Sequence, residues 1–462
     1  MIRSLRVIAV WLAGGVVPIT ALLLLVGCGA SSTGAPMPEP TPVVDSVAVT
    51  DTVTAPAPAT PKITVTADAS DTPAVDVPSD DLPTIPMQVT LWTVESVSPQ
   101  AEGEVGEAFA NGIRAFESRH PNVSVAVKIK NDSGKGSVLD YLRTASSVAP
   151  SVLPDVVVLD TADLATAARA GVLVALDDRL APGLINDLLP GARMAGTFEG
   201  QLVGMPFEAD IEHIAYDTAK IAEAPLTWQD VLSATTTYRF PAKGRNGLVN
   251  DSFLIQYFAL GGRLLDDEGM PALDEAALTA VLEYYRLGVV SGVIPADVLT
   301  AASADDLWPG FVSGDTGIVH VRARRFIQER SALRTGQYAD VPTQKGEPLT
   351  ILRGRALAIT SRDTAQVAAA VSLIEWLMEP NNAVAWHRIT ATLPTRHETL
   401  QRMGDDPYWD FLRRALETAV PAPSFPQYDQ IGRVLQQAVM EVIGGDSTPE
   451  EAAAAALDVI GR

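Results

Sequence analysis

Four arginines stand in two closely spaced pairs, Arg322 with Arg324 and Arg353 with Arg355 about Gly354, in a chain of formal net charge −22. A guanidinium meets a carboxylate or phosphate through two parallel N–H donors, so such pairs suit a ligand carrying an anionic group. They suit the protein's own carboxylates equally well. Strand alternation puts Glu208 and Asp210 on one face, either as a polar wall or as part of a salt bridge. Trp92 and Trp308 offer flat faces to a sugar ring or else fill a core, and Phe207 adjoins Glu208. Asp160 either accepts hydrogen bonds from solute hydroxyls or caps the helix that begins near Thr161. Glu95 opens the loop after Trp92 and is a binding carboxylate or a solvated one.

Catalytic patterns are scarce. Glu208 and Asp210 would be the acid and base of a glycoside hydrolase, yet two carboxylates spaced so on one strand are common and no further catalytic element accompanies them. There is no Gly-x-Ser-x-Gly elbow, no His-Glu-x-x-His pair and no Walker loop; Gly134-Lys-Gly136 lacks the phosphate-loop spacing. The five histidines show no metal-ligand spacing, so neither a metal nor a cofactor is expected.

The elements that must position these residues follow from periodicity. Gln88 to Val94 alternates as a strand, and Val105, Phe109, Ile113 and Phe116 then line one face of a helix stopped by His120-Pro121. Val123, Val125, Val127 and Ile129 form a second strand, and a helix from about Ser137 to Ser147 precedes Asp155 to Asp160, an apolar run suited to a sheet buried on both faces. Strand, helix, strand, helix, strand defines a doubly wound α/β lobe. Past Asp210 the pattern turns more helical, with strand-like pieces at Thr316 to Val321 and Arg355 to Ile359 and a capping box at Thr448-Pro449-Glu450-Glu451.

The ends are informative too. A basic start, Met1 to Arg6, precedes an uncharged apolar run to Val26, a secretory signal layout. The run ends in Leu25-Val26-Gly27-Cys28, which resembles the lipobox of bacterial lipoproteins and implies diacylglycerol on Cys28, the chain's only cysteine. The other reading is an uncleaved membrane helix. Residues 1–27 are thus expected to be a signal peptide and 28–85 a tether, since Gly29 to Ile85 contains no aromatic residue and one cation, Lys62. As a flexible coil that tether spans roughly 40 Å. The acidic balance argues against nucleic acid, and Arg322-Ala-Arg-Arg325 is too short to track a phosphate backbone.

From about Met87 to Ile460 the chain resembles the extracellular solute-binding proteins of ABC importers that include the maltose- and oligosaccharide-binding proteins. The resemblance rests on ordered landmarks: Leu91-Trp92, His120-Pro121-Asn122-Val123, Pro154 to Asp160, Gly204-Met-Pro-Phe207, Leu226-Thr-Trp228, Gly261 to Gly269, Phe311-Val-Ser-Gly314, Arg353 to Thr360, Leu393-Pro394-Thr395-Arg396 and the last Thr-Pro-Glu-Glu-Ala helix. It implies a two-lobed, periplasmic-binding-protein-like α/β fold of type II, each lobe a doubly wound sheet, with a hinge and a solute in the cleft. Lobe one would be 86–210 with 351–396 and lobe two 211–350 with 397–462.

On this resemblance Trp92, Glu95, Asp160, Phe207, Glu208, Asp210, Trp308, Arg322, Arg324, Arg353 and Arg355 are the expected ligand-binding residues, with Phe425, Tyr428, Tyr408 and Trp409 as a further wall. Relatives usually carry glycines and an aromatic around the position of Gly354, so the arginines there point away from a plain neutral sugar. The implied partners are a sugar or sugar derivative, anionic if the arginines bind it, and a permease, with a monomer exported and held to the membrane by Cys28 alone. A lipid-anchored glycosidase and a ligand-presenting receptor for a sensor are the rival functions.

Overall fold

The computed structural model describes residues 85–461, so the expectations for the signal segment, Cys28 and the tether lie outside the described residues. Met87–Val94 (β1) runs parallel to Val123–Lys130 (β2) in the register Met87 to Val123, and β1 also pairs in parallel with Val156–Asp160 (β3). The four valines and leucines of β3 are at most 2% exposed, because helices cover both faces of this part of the sheet. The flanking helices Glu104–Arg119 and Val138–Val148 bury the expected Phe109, Ile113 and Phe116, and Val138 and Leu142. Ser137 caps the second by accepting from the Asp140 N–H.

A small hairpin, Thr197–Phe198 (β4) and Gln201–Leu202 (β5), leads into the longest strand, Met205–Asp217 (β6). After it come Tyr238–Arg239 (β7), Ile318–Arg322 (β8), Gly336–Ala339 (β9), Ile351–Ile359 (β10) and Val420–Pro421 (β11). The sheet order is β2-β1-β3-β10-β6-β8-β7, with β9 on β6 and β11 on β10. Thus β6 pairs with β10 along its first half and with β8 and β9 along its second. The chain is more extended past Asp210 than its helical patterning suggests: seven further residues continue β6, and β10 begins at Ile351, four residues before Arg355.

Three apolar clusters flank this sheet. One joins β1, β3 and β10 to the helix Thr364–Met378. A second is built on the helices Asp251–Ala259, Glu275–Ser291, Tyr428–Gly444 and Pro449–Ile460. The third gathers Leu189, Ala209, Ile211, Trp308, Phe311, Phe326, Tyr408 and Trp409 around the middle of β6. Buried apolar area on both sides of the crossing strand stabilises each α/β half separately, while β6 and β10 hold them together.

Candidate functional site

A cavity of about 1130 Å³ opens between the two halves. One wall is the exit of β3, with Asp160, Ala162 and Asp163, and the helix Val138–Val148, with Arg143. The facing wall comes from the loop 241–250, the exit of β8 and the helix Ala323–Glu329, and the segment 423–429 closes one side. Loops at strand carboxyl ends are where open α/β sheets generally take ligands. Ser424 Oγ donates to Ala162 O at 2.6 Å, tying the closing segment to the β3 exit.

On the cavity wall lies Asp251, the first residue of its helix and 3% exposed. Arg353 grips it bidentately, Nε to Oδ2 and Nη2 to Oδ1, both at 2.7 Å. Arg322 adds Nη2 to Oδ2 at 2.9 Å. Burial by itself would raise this carboxyl, but the Arg353 and Arg322 guanidinia outweigh burial and hold it down at about 2.

Asp210, with no guanidinium at hydrogen-bond distance, goes the other way. Burial pushes its carboxyl up to about 6, opposed by Arg322 and by the N–H groups of Arg324 and Ile211, which donate to Oδ1 at 3.1 and 3.0 Å. Asp163 is pushed up to about 7 by burial and by the nearby Asp160, Asp132 and Asp429. Asp160 accepts from the Ala162 N–H at 2.9 Å, the helix-capping geometry, while also lining the cavity.

Of the sequence-expected ligand residues, Asp160, Asp210, Arg322, Arg324 and Arg353 line this cavity. The other six sit elsewhere. Trp92 is 5% exposed in the first core cluster, edge-on to Tyr141 at 5.9 Å with the Lys130 ammonium 4.7 Å from its ring. Glu95 is exposed at the start of the turn Glu95–Val97, off the cavity wall. Phe207 packs in the first cluster and Trp308 in the third, where it stacks on Phe311 and donates to Glu329.

Glu208 accepts from Trp386 Nε1 at 2.8 Å and from Arg355 Nη1 at 3.3 Å, and Arg355 also reaches Asp132 at 3.0 Å. Glu208 and Asp210 therefore do not face one space as an acid–base pair would. Phe425 and Tyr428 line the cavity, whereas Tyr408 and Trp409 belong to the third core cluster. Sequence reasoning missed Asp251, Asp163, Arg143 and Arg245. Their only local signals are an acidic residue in a helix's first turn and a turn at Arg245-Asn-Gly, both too common to mark a site. Among the described residues no group of three or more His, Cys, Asp or Glu is arranged to hold a metal ion.

Two α/β halves joined by crossing strands around a polar cleft make a two-lobed solute-binding fold. The family described as bacterial extracellular solute-binding protein matches residues 112–410. Among solved structures, the cyclic α-maltosyl-1,6-maltose binding protein of Arthrobacter globiformis is similar at 19% identity and TM-score 0.67, over 81% of this chain and 98% of that one. The sugar-binding protein MalE of Xanthomonas citri gives 19% identity and TM-score 0.68 over the same shares, 81% and 98%. An ABC transporter solute-binding protein of Thermotoga lettingae, bound with α-D-tagatose, gives 22% and 0.62 over 81% and 98%. These likenesses speak to the fold. The chain belongs to the bacterial extracellular solute-binding protein family, whose members bind their solutes and do not transform them.

Proposed function

We propose that this chain is a lipid-anchored receptor that encloses a sugar or sugar derivative between its lobes and hands it to the permease of an ABC importer. The observation that carries this reading is the 1130 Å³ cavity, large enough for an oligosaccharide and walled by both halves. The similar structures whose names specify maltose, cyclic maltosyl-maltose or tagatose support a carbohydrate as the occupant. Lobes bounded at 86–210 with 351–396 and 211–350 with 397–462 would hinge where β6 and β10 cross, near Asp210, Thr350 and Arg396.

Closure around the solute is a population shift driven by its greater affinity for the closed state. Cys28 with its acyl chains, followed by the tether 28–85, would keep the receptor near its permease at high local concentration. Thermal-shift and calorimetric titration of the purified chain with neutral sugars, sugar acids and polyols tests the binding reading, which fails if none binds. Metabolic labelling with palmitate tests the anchor: the wild type should take up label and Cys28→Ser should not.

A further inference from the structure

The cavity is an exception to the charge of the chain. It is lined by seven arginines and seven carboxylates, in a protein with 34 basic and 56 acidic residues. What matters is which of these charges are already satisfied. Arg322 and Arg353 share the one carboxylate of Asp251, and Arg325 bridges Asp305 at 2.9 Å and Glu329 at 2.8 Å. The Arg169 guanidinium lies over the Phe198 ring at 5.3 Å. Arg143, Arg245 and Arg324 remain, and among the described residues none of the three forms an ion pair.

Asp251 and Asp305 are taken up by arginines, and Glu212 is buried against His320 at 2.6 Å. Asp163, pushed up to about 7, is largely uncharged below neutrality. Asp429 lies 3.6 Å from Arg433, and Asp160 and Asp210 accept backbone N–H groups and, among the described residues, bridge to no arginine, so free carboxylates and the three free guanidinia share the cavity wall. Of the three free guanidinia, that of Arg324 belongs to a half-buried residue of the cavity wall whose backbone N–H donates to Asp210, so that the side chain is anchored at its root.

A second feature lies on the same wall. Phe425 and Tyr428 present paired rings, 5.8 Å apart and edge-on, and the Tyr428 hydroxyl lies beside the Arg353 guanidinium. Aromatic rings on a polar cavity wall suit the apolar face of a sugar ring.

Resting on the sugar-receptor reading above, we propose that the solute is a carbohydrate bearing a carboxylate or phosphate, with Arg324, assisted by Arg245, on the anionic group and Phe425 and Tyr428 on the ring. Arg322, Arg353 and Arg355 are not its ligands, because each is already paired within the protein. The anion-binding role suggested by the two arginine pairs thus passes to Arg324 and to Arg245, which lies outside both pairs.

The test is calorimetric titration of the full purified chain with digalacturonate, glucose 6-phosphate and maltotriose, each at low and at high salt, on the wild type and on Arg324→Gln, Arg324→Lys and Arg245→Gln. At least one anionic probe should bind at least tenfold more tightly than maltotriose. Arg324→Gln should weaken that probe at least tenfold, Arg324→Lys less, and unaltered melting temperatures would confirm folded variants. Uronate against phosphate separates the two anions. Tight maltotriose binding that Arg324→Gln leaves within twofold would overturn the proposal but keep the receptor. An anionic probe that binds independently of both arginines also overturns it. Binding of none of the three overturns the anionic-carbohydrate assignment, whereas the receptor reading is overturned only if the wider titration with neutral sugars, sugar acids and polyols is also blank.

Discussion

Asp251 is satisfied by two guanidinia, and removing its charge leaves both of them, half-buried, without their shared ion-pair partner. Asp251→Asn should destabilise the protein by about 3 kcal/mol, read from chemical denaturation, whereas a surface carboxylate change costs little. Its pH behaviour follows from the same pair. A carboxyl held at about 2, below its unfolded value of about 4, contributes stability that is present above pH 4 and lost as pH falls toward 2. The wild type should lose stability over that window, and Asp251→Asn should lose less.

Asp163 works in the opposite sense. With a folded value of about 7, raised above the unfolded one, the protonated form is favoured by folding, and this contribution is lost as pH rises from about 4 through 7. Asp163→Asn should raise the melting temperature at pH 8 and change it little at pH 4. The gain at pH 8 is about 1 kcal/mol after allowing for solvent screening of a partly exposed group.

At the scale of the element, β6 sets carboxylates against arginines. Glu208, Asp210 and Glu212 stand opposite Arg355, Arg353 and Arg322 in register, yet only the first pair makes a direct bridge. The helix starting at Asp251 diverts the other two arginines. The register also shifts between Arg355 and Ala356, one residue after Gly354, where a Cβ would come within 1.9 Å of Glu208 O. Only glycine permits that approach. Gly354→Ala should cost about 1–3 kcal/mol and loosen the β6–β10 pairing, measurable as faster amide exchange along both strands.

Strand alternation placed Glu208 and Asp210 on one face, and the periodicity of β1 and β3 located those strands within a residue or two. The full length of β6 was hidden, because its partners change from β10 to β8 and β9 along its length and all of them come from distant parts of the chain. Cross-strand partners separated by more than a hundred residues leave no local mark.

At the scale of the whole molecule, the expected behaviour is hinge closure. A saturating solute should raise the unfolding free energy by RT ln of its excess over the dissociation constant, about 2.7 kcal/mol at a hundredfold excess. Small-angle scattering should show a smaller radius of gyration with solute than without. An unchanged radius would argue against closure even if binding is tight.

Periodicity in the sequence determined the first α/β lobe, because apolar spacing and turn residues act over a few positions and need no partner to be read; the second lobe came from the resemblance carried by the ordered landmarks. The sequence also supplied Asp160, Asp210 and Arg324 as residues at strand and helix boundaries. What only the tertiary structure decided is which charges remain free. Whether an arginine meets solute or protein depends on a carboxylate brought to it from far along the chain, as Asp251 is brought to Arg353, 102 residues away. Two arginines in the same sequence pattern, Arg322 and Arg324, thereby differ: the first is paired with Asp251, and the second lines the cavity in no ion pair among the described residues.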